Sequence, residues 1–202
     1  MRERTDTLVR MAAMAGIFGP LVFGSAITAL TFIQYDFMRS LRWHPLTAPT
    51  TDWPSGLALG PYGQWMSAAF MISGALLAVF GQGLRVVFPT LAPNLITMAG
   101  LALACLAFPT DPTFRTTPAT TSGTLHDVAY VAIGLTLLPG MMMLARQFLR
   151  LSRWRWLAPL TVVVLILIVP AFVFKGILFY VFLAGIFVWC ECVALRLSSY
   201  AR

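Results

Sequence analysis

The sequence predicts an all-α integral membrane protein, a six-helix transmembrane bundle with both termini on the cytoplasmic side. Three observations carry this. The 202 residues are 59% hydrophobic and 10% charged, with a mean hydropathy of +0.82. A soluble domain is about 45–50% apolar and about 25% charged, so this chain lacks the polar residues needed to cover a soluble surface. Apolar runs also recur at the length that crosses a bilayer, about 20 residues. Finally, the basic residues fall mostly on one side of those runs.

The first run, 11–34, follows Arg10. It stays apolar for about 23 residues, longer than the core of a secretory signal, and reads as a span. Residues 36–63 then form a loop rich in aromatic and ionisable groups. The second and third runs, 64–84 and 87–108, are separated by Gly83-Leu84-Arg85, which reads as a tight hairpin. A polar stretch, "FPTDPTFRTTPATTSGTLHD" at 108–127, precedes the fourth run at 127–145. The basic segment "RQFLRLSRWRW" (146–156) reads as a stop signal with an interfacial aromatic belt that also suits anionic lipid. The fifth and sixth runs, 156–174 and 176–195, are joined at Lys175-Gly176. The length suits one transmembrane domain over 1–202.

With the N-terminus inside, the cytoplasmic side holds Arg2, Arg4, Arg10, Arg85, Arg146, Arg150, Arg153, Arg155, Arg196 and Arg202. The outer side holds Arg39, Arg42, Arg115 and Lys175. The inverted orientation breaks the positive-inside rule. The net charge of +7 is therefore a topology signal rather than a nucleic-acid surface. Cys105, Cys190 and Cys192 lie in apolar runs, an odd set that argues against a disulfide framework. Gly16, Gly19, Gly24, Ser25, Gly74 and Gly134 suit close helix crossing, and Met141–Met143 suit packing.

Candidate chemistry gathers at the outer surface. Asp36, Asp52, Asp111 and Asp127 lie on or near it with both histidines, His44 and His126. Pro109 and Pro112 flank Asp111, placing it just beyond the third span. His126 opens the fourth, where Thr120, Thr121, Ser122 or Thr124 can cap the helix. A loop of about 14 residues is long enough to bring Asp111 and His126 together. That pair reads either as catalytic or as a hydrogen bond pinning two helices. Ser55 completes a Ser–His–Asp set on the same face, recognised by geometry rather than chain order. Against it, "WPSGLALG" has no nucleophile-elbow pattern, and Ser-Gly is a common turn pair. Asp127 also complements a helix N-terminus.

The same acidic and histidine side chains supply zinc-type ligands, but no metal-binding spacing is present and two histidines are few. Haem ligation by both histidines is disfavoured by their position near loops. No motif names a cofactor. Arg39, Arg42 and Arg115, with Lys175, form a basic set beside Trp43, Trp53 and Trp65. It reads as a headgroup-binding surface or as ion pairs with local Asp residues and belt anchoring. Glu191, near the cytoplasmic end of the last span, reads as a partner of Arg196 or Arg85, or as part of a proton path.

Several motifs together resemble the domain-of-unknown-function family 998, uncharacterised bacterial multi-span membrane proteins. They are His44-Pro45, Ser55 with Gly60, Phe108-Pro109 with Asp111, and Gly123 with His126. Residues 131–202 match in hydropathy only. The stretch between His44-Pro45 and Ser55 departs from the pattern by its length. The resemblance implies a six-span fold in a bacterial inner membrane and no established activity.

Three functional readings stay open. One is an enzyme acting on a lipid or prenyl-type substrate at the outer face. In it His126 is the acid/base, Asp111 the orienter or acid and Ser55 a nucleophile, while Arg39, Arg42, Arg115, Asp127 and His44 bind substrate. The second is a small-solute transporter, sensor or membrane assembly partner, although the chain shows no inverted repeat or mid-membrane charge pair. The third is a terpene cyclase, which its 15 Phe, 6 Trp and 5 Tyr permit and the outer position of its acids disfavours.

Overall fold

The computed structural model describes residues 2–47, 53–112, 117–174 and 177–200, without the side chains of 2–5 and 172. Seven α-helices and one short 3-10 helix make up the regular structure among these residues. They are α1 (Arg2–Ile33), α2 (Tyr35–Ser40), the 3-10 helix (Ser55–Leu59), α3 (Gly63–Val87), α4 (Leu91–Cys105), α5 (Thr121–Arg150), α6 (Leu157–Val173) and α7 (Ile177–Ser198).

Helices α1, α3, α5 and α7 are long and apolar enough to cross a membrane. The runs expected as third and fifth spans form shorter helices, α4 with 15 residues and α6 with 17. At 1.5 Å per residue these reach about 22 and 25 Å, short of a hydrocarbon core of about 30 Å. Proline sets their limits in part. Pro89 lies just before α4, Pro109 just after it, and Pro170 in the last turn of α6.

The hairpin between α3 and α4 lies at Phe88-Pro89-Thr90, not at the expected Gly83-Leu84-Arg85. Gly83 is a helix-interior residue whose missing side chain lets Ala12 of α1 press against it. The glycines between α3 and α4 have the same cause. A Cβ on Gly74 would sit 2.8 Å from Ala104 Cα, and one on Gly100 2.9 Å from Ala78 Cα, so the two backbones approach closely. Helix α5 is longer at both ends than the expected 127–145.

Each of the six longer helices packs on two others, in the order α1, α3, α4, α5, α6, α7 and back to α1. Two buried clusters divide the interior by end. One joins Val9 and Ala13 of α1 to Leu84, Phe88 and Ala92, then to Phe148, Trp154 and Leu157, and to Val193 and Leu197 of α7. The other joins Phe23 to Leu30 of α1 with Met38, Trp43, Trp53, Leu57, Met66, Phe70, Leu106 and Ala129. The first cluster collects the start of α1, the end of α3, the start of α4, the end of α5, the start of α6 and the end of α7. Successive long helices therefore run antiparallel.

Aromatic contacts close both ends. Phe148 stacks on Trp154 at 5.6 Å between ring centres, and Arg196 lies 6.0 Å over Trp154. Arg196 also donates to Ser199 Oγ at 3.0 Å, so its contacts are these rather than the expected Glu191. At the other end, Trp53 meets Tyr180 edge-on at 4.9 Å and donates its indole N–H to Thr31 Oγ1 at 2.8 Å. This ties the segment before α3 to α1 and α7. The three cysteines are free, with Cys190 buried in the core.

Candidate functional site

His126 is the sixth residue of α5, one turn inside the helix rather than at its first position. The helix starts where the sequence supplies a cap, Thr120, whose Oγ1 accepts the Gly123 N–H at 3.0 Å. That start turns the ring of His126 inward, where it is 4% exposed. Phe70 of α3 meets it edge-on.

Both ring nitrogens are engaged. Nδ1 lies 2.7 Å from the Phe108 carbonyl oxygen, and Nε2 lies 3.0 Å from Ser55 Oγ. A carbonyl only accepts, so in the neutral ring Nδ1 carries the proton and Nε2 accepts the Ser55 hydroxyl. Three segments distant in sequence thus meet at one imidazole: the start of the 3-10 helix, the turn after α4 and the second turn of α5.

Asp111 is buried at 5% exposure but does not hold the ring. Its Oδ2 accepts the Ala119 N–H at 2.8 Å, closing the polar loop back onto itself ahead of α5. Ser122 Oγ adds a bond to the Pro109 carbonyl at 2.8 Å. Gly123 sits where a Cβ would lie 3.1 Å from Asp111 Cβ, so this glycine makes room for the buried carboxylate. The expected Ser55 and His126 pairing is present as a hydrogen bond, and the expected Asp111 to His126 link is replaced by the Phe108 carbonyl.

Ser55 is placed by a residue the sequence reading passed over. Gln34, 3% exposed, follows α1 directly. Its Nε2 donates to the Leu57 carbonyl at 3.1 Å, and its Oε1 accepts the Tyr62 N–H at 3.1 Å. One amide side chain thereby spans the turn from the 3-10 helix into α3. Its sequence signal is a single uncharged polar residue between an apolar run and "YDF".

The described basic candidates have a setting of their own. Arg39 on α2 is exposed and donates through Nη1 to His44 Nδ1 at 3.1 Å. Arg42 is exposed, with a left-handed backbone at φ 63° just past the end of α2. Asp127 is exposed in the second turn of α5, beyond the first turn where a helix dipole acts strongly. Arg115, Asp52 and Lys175 lie outside the described residues. Among the described residues, no three His, Cys, Asp or Glu side chains group as a metal site.

Fold and site together define a helical protein of membrane type, with a Ser–His hydrogen-bonded pair at one end of its helices. The chain belongs to the family described as "Protein of unknown function (DUF998)", whose model matches residues 22–196. No curated protein and no solved structure matches it.

Proposed function

We propose that this protein is a multi-pass cell-membrane enzyme that cleaves or transfers an ester-linked acyl group of a lipid at the outer membrane face. The observation that supports this most is the Ser55 hydroxyl directed to a His126 nitrogen 3.0 Å away, with the opposite nitrogen held by a backbone carbonyl. Such a pair is what an activated serine nucleophile requires.

The chemistry follows from the tautomer. Ser55 Oγ attacks the ester carbonyl carbon as its proton passes to His126 Nε2. The Phe108 carbonyl steadies the imidazolium through Nδ1–H. Nε2 then returns the proton to the departing alcohol oxygen, leaving the acyl group on Ser55. Water, deprotonated by the same nitrogen, releases the acid. Ser55 is partly exposed, as a nucleophile must be, while His126 is shielded.

All six longer helices belong to the membrane-spanning bundle in this reading, with α4 and α6 supported by their neighbours. Both termini are cytoplasmic, because most of the basic residues flank the opposite end from Ser55 and His126.

The test is lipid profiling by mass spectrometry. Purified wild type, Ser55→Ala and His126→Ala are each incubated with total lipid extract from the native membrane. An ester lipid consumed by wild type alone, with free fatty acid or a transacylated product appearing, supports the reading. Identical profiles from three equally folded proteins would leave Ser55 and His126 as a structural clasp.

A further inference from the structure

We infer that the groove between α1 and α7 is a binding site for one anionic phospholipid, separate from the Ser55–His126 chemistry and not dependent on it. The groove measures about 580 Å³, within the range of roughly 300–1,000 Å³ typical of ligand sites. It runs along α1 from Gly24 to Phe32, about 12 Å at the helical rise. Its walls are almost wholly apolar, with Phe187, Leu183 and Ile27 along its length. Both flanking helices are long and apolar enough to cross a membrane, so the groove opens onto acyl chains.

Three features commit the occupant to a lipid with a polar end. First, indole and phenol groups gather at one end of the groove, where Tyr35 meets Trp43 and Trp53 meets Tyr180. The Trp43 indole N–H is buried without a short hydrogen bond and has the Tyr180 hydroxyl as its neighbour. Both residues line the groove. An indole N–H and a phenol at the end of an apolar trough match an ester carbonyl at the end of an acyl chain. Secondly, the chain on either side of Trp43 carries cations. Arg42 precedes Trp43, and Arg39 bonds to His44, which follows it. Both arginines are exposed, and Asp36 is the one acidic side chain on α2. Arginine matches phosphate bidentately. Thirdly, Arg42 holds a left-handed backbone that favours glycine, so the turn that carries Trp43 inward keeps a cation at a position where the backbone is strained.

The experiment reconstitutes the full chain in vesicles of phosphatidylcholine with a minor fraction of phosphatidylglycerol. It is then extracted mildly, and retained lipid is counted by native mass spectrometry. Wild type is expected to retain one phosphatidylglycerol, favoured over phosphatidylcholine by about tenfold. Arg39→Gln with Arg42→Gln should remove that preference while an acyl lipid is still held. Ala184→Phe, which fills the groove at an exposed position, should abolish retention. Leu135→Phe, on an exposed face of α5, should not. Equal retention by wild type and Ala184→Phe would overturn the proposal. So would a preference unchanged in the arginine variant, or a dimer that Ala184→Phe disperses, which would assign the face to a second copy of the chain. Because Ser55 is untouched, ester turnover is read in parallel and its absence leaves this result standing.

Discussion

Asp111→Asn separates two ways of holding His126. In the structure the ring is oriented by the Phe108 carbonyl at 2.7 Å, while the Asp111 carboxylate accepts the Ala119 N–H at 2.8 Å. Asparagine keeps an acceptor oxygen for that N–H and loses the charge. A hydrogen bond to a charged group contributes about 1.5–3 kcal/mol and a neutral one about 0.5–1.5, so the exchange should lower stability by about 1–2 kcal/mol. Reactivity at Ser55 should change by less than about fivefold, under about 1 kcal/mol in the barrier. In a triad whose carboxylate orients the histidine, the same exchange lowers the rate by about 10⁴. The assay is the rate of covalent modification of Ser55 by a fluorophosphonate in detergent micelles, with thermal melting followed alongside. A fall of about 10³ or more in a protein that still melts cooperatively would refute the carbonyl-held arrangement.

Other substitutions test the supports of the site. Gln34→Leu removes the bonds to Leu57 and Tyr62. It should cost about 2–4 kcal/mol, from two backbone groups left unmatched, and should slow Ser55 modification without touching Ser55, both read in the same melting and labelling assays. Thr120→Ala removes the α5 cap and should lower stability by about 1 kcal/mol in a denaturant titration. Ser73 is buried on α3 with its hydroxyl unpartnered. Ser73→Ala should therefore raise stability by up to about 1–3 kcal/mol of relieved desolvation, read as a higher melting temperature, and an unchanged or lower melting temperature would contradict this.

The apolar runs made the helices legible, and the paired clusters show why. An alternating up-and-down chain needs little beyond hydropathy and short connections. The limits of α3 and α4 were not legible, because Gly83 carries the same local signal in a turn as in a helix interior pressed against Ala12. Ser55 and His126 could be placed on one surface from the order of the runs, although they are 71 positions apart. Their partner could not, since the Phe108 acceptor is backbone and every residue has one. Asp111 was legible as an acid just beyond the third apolar run, but its burial and its bond to a backbone N–H eight residues on depend on a loop path that sequence pattern does not specify. Gln34 acts at a distance of 23 and 28 positions, and only the fold shows what it spans.

The most direct measurement of the central claim is the location of a fluorophosphonate adduct by peptide mass spectrometry, in wild type and in His126→Ala. The account predicts an adduct on Ser55 in wild type and its loss in His126→Ala, with both proteins folded. A folded wild type that carries no adduct on Ser55, or one labelled equally without His126, would contradict it.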